Sequence, residues 1–175
     1  MNTYNPFKTY GILAGVMVGA LIAMILVKTM NKDRSLKTQY DEMQQLVRGK
    51  AYTYGFYAIV AYEVLMAFVE SMGPVPIDPI VTHFAGIALG VTVQAVYSIW
   101  NDAYIGLNTK SRQYGITMIL IALFNLVVAI AAWMSGRMVV DGVLQSAFAN
   151  VLVFLMFVAI GTAFFLKRSV QREED

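Results

Sequence analysis

Five apolar runs alternate with short polar breaks along the chain, at about 10–27, 51–69, 80–100, 114–133 and 143–166. Each is close to the roughly 20 residues that a helix needs to cross a bilayer core. The breaks carry clear punctuation: "KTMNKDRS" is a charge run, "GPVPIDP" is rich in proline, "NDAYIGLNTKSR" is polar, and "SGRMVVDG" mixes glycine with charge. No proline falls inside a run. The pattern predicts an all-α integral membrane protein, a single membrane domain over 1–175 with five transmembrane helices in a bundle. Asp78 followed by Pro79 predicts the cap and first residue of the third span.

Between the first two spans a different pattern appears. In "DRSLKTQYDEMQQLVRGK", Leu36, Tyr40, Met43 and Val47 recur at helical spacing among charged and amide residues. This predicts an amphipathic helix over about 35–48, capped by Asp33 or Ser35. Such a stripe suits a helix lying on the membrane surface or running into the second span, and it also suits a docking surface for a cytoplasmic protein.

Composition agrees with the membrane reading: 58% of residues are hydrophobic, 14% are charged, and mean hydropathy is +0.61. A soluble domain of this length is far more polar. Charge then sets direction. Eleven of the thirteen Lys and Arg residues fall in the first and third loops and the tail, and only Lys8 and Arg137 fall on the other side. Positive charge is retained on the cytoplasmic face, so the N-terminus is expected outside and the C-terminus in the cytoplasm of a multi-pass cell-membrane protein. Tyr52, Tyr54, Trp100, Tyr104 and Tyr114 then fall near the inner interface, with Tyr10 and Trp133 near the outer one. The first span is read as a retained helix, because its stronger positive flank follows the apolar run. Three Tyr-Gly pairs open spans, but in opposite directions, so they are interfacial tyrosines and not a repeat.

Two elements add a resemblance. "DEMQQLVRGKAYTYGFY" supplies Asp41, Glu42, Gln44, Gly49, Lys50, Ala51 and Tyr52, and "IWNDAYIGLN" supplies Asp102, Ala103, Tyr104, Leu107 and Asn108. These resemble the D-E-x-Q, G-K-A-Y and D-A-Y…L-N elements of uncharacterised small multispan membrane proteins of Gram-positive anaerobes. Met43 stands where that pattern has Arg. The resemblance implies the same multispan topology and carries no activity. By charge alone, Asp102 is expected to pair with Arg48, Lys50, Lys110 or Arg112.

The second span holds Glu63, about six residues from its outer end and so roughly 9 Å deep. A charge there is costly and must be neutralised, paired or hydrated. Glu70 lies two turns on, and His83 enters from the same side on the third span. Asn125 and Asn150 fall at comparable depth, so the five residues form a candidate intramembrane polar site. Gln94 lies nearer the inner side. In the first span Gly11, Gly15, Gly19 and Ala23 stand four apart, a spacing that lets another helix approach closely, within the chain or in a homo-oligomer.

Chemistry is otherwise sparse. The chain has no cysteine and one histidine, which excludes disulfides, thiolate chemistry and a histidine-rich metal site within it. Protease, hydrolase and phosphate-loop motifs are absent. No cofactor, metal, catalytic residue or nucleic-acid partner is expected. The leading expectation is a non-enzymatic accessory or regulatory protein acting through helix packing and its cytoplasmic loop. The alternative is a small oligomeric transporter or channel coupled to protons or cations through Glu63.

Overall fold

The computed structural model describes residues 6–174. Five α-helices follow in order: α1 (Pro6–Met30), α2 (Glu42–Ser71), α3 (Pro79–Trp100), α4 (Ser111–Met134) and α5 (Ala149–Glu174). Four of the helical segments, Glu42–Ser71, Pro79–Trp100, Ser111–Met134 and Ser146–Gln171, are long and apolar enough to cross a membrane. Over the part of α1 whose side chains are described, Met17–Met30 is apolar but shorter.

The helices pack in the order α2, α3, α5, α4. Its centre is the α3–α5 seam, where Ala95, Ile99, Ile160 and Ala163 are buried against Met118, Met156 and Phe164. A second cluster, Ala129, Ala132 and Met138, seals the other end of α4. Small residues set the α2–α3 distance. A Cβ on Gly90 would lie 2.4 Å from Ile59 and 2.8 Å from the carbonyl oxygen of Gly55, and one on Gly55 would lie 2.8 Å from that of Gly90. The backbones therefore touch there, as membrane helices do where side chains are absent.

The stripe in α1 behaves differently. Gly11 and Gly15 have surroundings outside the described residues. Gly19 has open space where a Cβ would be, and Ala23 is exposed. The residues from Met17 to Ile25 are exposed, and the helix becomes half-buried only from Leu26.

The loop between α1 and α2 departs from expectation. Residues 32–41 form turns and extended backbone, not the amphipathic helix expected over 35–48. Helix α2 begins at Glu42, and its cap is Asp41, not Asp33 or Ser35. The Asp41 carboxylate accepts from Gln44 N at 2.7 Å while the Gln44 side chain accepts from Asp41 N, a reciprocal capping box. The expected stripe is thereby divided. Leu36 is exposed in the loop and Tyr40 half-buried, whereas Met43, exposed, and Val47, half-buried, ride the first turns of α2.

The fifth helix is displaced from the expected 143–166: it begins later, at Ala149, and continues to Glu174. Residues Val139–Val140 (β1) and Val143–Leu144 (β2) pair antiparallel around Asp141 and Gly142, both at positive φ. A single 3₁₀ turn, Ser146–Phe148, leads into α5. Leu144 also bridges Ile77, and Leu144 N donates to Pro76 O. Asp78 caps α3 as expected, its carboxylate accepting from Ile80 N at 2.8 Å, with Pro79 opening the helix.

Candidate functional site

Two polar constructions stand at opposite ends of the helices. The first is the pair foreseen in α2 and α3. Glu63 Oε2 lies 2.9 Å from His83 Nδ1, and both side chains are partly exposed, 36% and 57%. Gly86, one turn beyond His83, makes room for the pair. A Cβ there would lie 2.8 Å from Glu63 Oε1 and 2.6 Å from the Tyr62 ring. The Tyr62 hydroxyl donates to Thr82 O at 2.9 Å, fixing the same turn. Glu70 shares a cavity of about 300 Å³ with His83, Thr82 and the Gly73–Pro74 bend.

Asn125 and Asn150 take no part in these contacts. The Asn125 amide donates to Ile121 O and the Asn150 amide to Ala147 O, each on its own chain segment. Depth alone brought them into the candidate set. Helix α4 packs on α5, two helices away from α2, so Asn125 at similar depth is on a different part of the molecule.

The second construction joins the loop after α1 to the loop after α3, and Asn108 is its hub. The Asn108 side chain donates to Asp33 at 3.1 Å and to Lys37 O at 3.1 Å, and its oxygen accepts from Gln39 N at 2.8 Å. Asn31, 1% exposed, donates to Ser35 O and accepts from Thr109 Oγ1. Backbone bonds lock the two strands: Lys32 N to Asn108 O, Leu107 N to Gln39 O, and Lys110 N to Met30 O. Gly106 admits Thr38, whose methyl would lie 2.2 Å from an added Cβ.

The first turns of α2 close over the same loop. Gln44 donates to Asp102 O at 2.8 Å, Arg48 reaches Ala103 O at 3.3 Å, and the Arg48 guanidinium stacks 4.1 Å from the Tyr40 ring centre. Ala51 and Ala103 are fully buried. From the far end of the chain, Lys167 binds the Asp102 carboxylate and donates to Ile99 O at 2.8 Å. A cation over the last carbonyls of α3 complements the helix dipole. Asp102 thus pairs with a lysine of α5, where Arg48, Lys50, Lys110 or Arg112 was expected.

These partners define a cross-linked platform, with Leu36, Met43 and Leu46 left exposed. Asn31 and Lys167 escape sequence reading as functional positions, since neither belongs to a local pattern, and Asn108 entered only through the D-A-Y…L-N resemblance, with no role attached. A partial signal existed in α3: Thr82, Gly86, Gly90, Gln94 and Ser98 stand four apart, the spacing singled out in α1.

Electrostatics tie the platform to pH. The backbone N–H of Ser35 and the Asn108 amide hold Asp33 below its ordinary value of 3.8. Burial pushes Tyr40 and Tyr104 above theirs, against the opposing pull of Arg48. A depressed carboxylate stabilises above its ordinary range, and that contribution is lost as pH falls below 3.8 through the native value. Raised tyrosines stabilise below about pH 10 and lose that contribution as pH climbs through their native values. The absorbance of the Tyr40 and Tyr104 phenolates should therefore develop only above the ordinary tyrosine range, and Tyr104→Phe should reduce that late component. A single phase at the ordinary tyrosine range would contradict this burial.

No protein-family profile, curated protein or solved structure matches the chain.

Proposed function

We propose that the chain is a multi-pass cell-membrane protein without catalytic activity, with five spans, an external N-terminus and a cytoplasmic C-terminus. It acts as an accessory or regulatory partner, presenting the loop platform to another protein at the cytoplasmic face. The observation that carries this reading is the platform itself. Loops some seventy residues apart in sequence are joined through Asn108 and Asn31, yet Leu36, Met43 and Leu46 remain 60–70% exposed on the surface. A surface ordered in advance loses little entropy on binding, and exposed apolar anchors on it supply the gain. The concentration of Lys and Arg at this end supports its cytoplasmic placement. The open face around Gly19 and Ala23 supports a further role for α1 in packing against a second membrane helix, from a partner or another copy.

Crosslinking in native membranes tests the reading. The wild-type chain should capture one discrete partner, and combined Leu36→Asp and Met43→Asp should reduce capture at least about tenfold. Recovery of a homo-oligomer alone would sink it.

A second reading rests on the Glu63–His83 pair, a proton- or cation-accepting group within a span. Under that reading the chain is a small oligomeric transporter or channel. Glu63→Gln then abolishes a proton-dependent flux in liposomes while leaving the fold intact, and an unchanged flux excludes it.

A further inference from the structure

A further cavity among the described residues lies outside both polar sites. It is a groove of about 900 Å³ between α4 and α5, walled by apolar side chains including Phe157 and Phe165. Two glycines keep it open: Gly115 on α4 and Gly161 on α5 both line it, and a Cβ on either would meet nothing within 4 Å. Along α4 the lining runs from Ser111 to Leu123, and along α5 from Phe157 to Arg168. At the helical rise each wall is about 16–18 Å long, roughly half a bilayer core and so one leaflet.

One end of the groove is charged. Arg112 and Arg168 both line it, from the start of α4 and the end of α5. Among the described residues neither takes part in an ion pair or a side-chain hydrogen bond, whereas Lys167, next in sequence to Arg168, is engaged by Asp102 and the end of α3. The Asp102 carboxylate is thus already paired with a cation. Two guanidiniums at the mouth of an apolar slot one leaflet deep match an anionic headgroup followed by its acyl chain.

We propose that the α4–α5 groove binds one bilayer phospholipid with an anionic headgroup, its phosphate between Arg112 and Arg168 and an acyl chain along Gly115 and Gly161. The site adjoins the loop platform through Ile105, which also lines the groove, but the inference does not depend on the partner reading.

The test uses the full chain, stripped of lipid in detergent and equilibrated with vesicles of phosphatidylcholine or of phosphatidylcholine mixed with phosphatidylglycerol. Native mass spectrometry then counts retained lipid. One phosphatidylglycerol per chain should be retained in preference to phosphatidylcholine. Arg112→Gln with Arg168→Gln should reduce that preference about thirtyfold, from roughly fivefold per arginine at a membrane surface. Gly161→Leu, which enters open space, should fold normally and retain neither lipid. Equal retention of both lipids, or a preference untouched by the arginine pair, would overturn the assignment. So would a crosslink at Phe165 to a second copy of the chain filling the groove.

Discussion

Replacing Asn108 by aspartate is expected to undo the loop platform at neutral pH. The substitution keeps the shape and removes the amide that donates to Asp33 and to Lys37 O. In its place a second carboxylate sits at hydrogen-bond distance from Asp33, where two like charges cannot both ionise cheaply. The lost bonds of the buried amide alone are expected to cost about 1–3 kcal/mol. Trypsin should then cut rapidly after Lys32, Arg34 or Lys37, sites that the platform otherwise holds. Mild acid should restore much of the protection in this variant, because one proton shared between the carboxylates relieves the repulsion. N108D as resistant to trypsin as wild type would mean that the loops are held together by something other than this hub.

The second large effect is expected at Gly90. A valine there meets Ile59 and, more stubbornly, the Gly55 carbonyl, which belongs to backbone and has nowhere to move. Helices α2 and α3 must separate along their whole contact, including the turn where Gly86 seats Tyr62 and Glu63. Overpacking of this kind costs about 1–3 kcal/mol and occasionally more; Gly90→Val is expected at the upper end, with a clear fall in thermal midpoint in detergent. Gly19→Val is the matched control. It lies in the same type of stripe with open space beside it, so the monomer should tolerate it. If the two variants behave alike, the close approach of α2 and α3 does not set their packing.

The contrast between those glycines indicates what the chain discloses before folding. Apolar run length reveals each helix, because a membrane-length stretch has no other way to satisfy its backbone. Local end signals are equally readable where they are contiguous, as in Asp78–Pro79. The loop helix over 35–48 fails for a related reason. Its spacing looks helical, yet the Asp41–Gln44 capping box starts the helix later, and Asp33, Lys37 and Gln39 serve bonds to Asn108 some seventy residues away. Periodicity carries no information about such a partner.

The polar site shows the same boundary. Glu63 and His83 meet because they flank one short helical hairpin, where depth is enough to predict contact. Asn125 and Asn150 share that depth but not that neighbourhood, and helix order across the membrane is set by surface fit between distant segments. Small residues at fourfold spacing mark a helix that can be approached closely. Which helix accepts the offer is decided by its neighbours, and here α2 meets α3 while the described face of α1 stays open.

A photoreactive residue placed at Met43 in native membranes tests the proposed function most directly, because Met43 is the most exposed of the three apolar anchors, at 70%, and its side chain makes none of the platform's hydrogen bonds. One discrete adduct with a different protein is predicted, absent when the probe is moved to Trp133 at the other end of α4 and lost in N108D. Adducts with lipid alone, or only with a second copy of the chain, would contradict a docking platform for a partner.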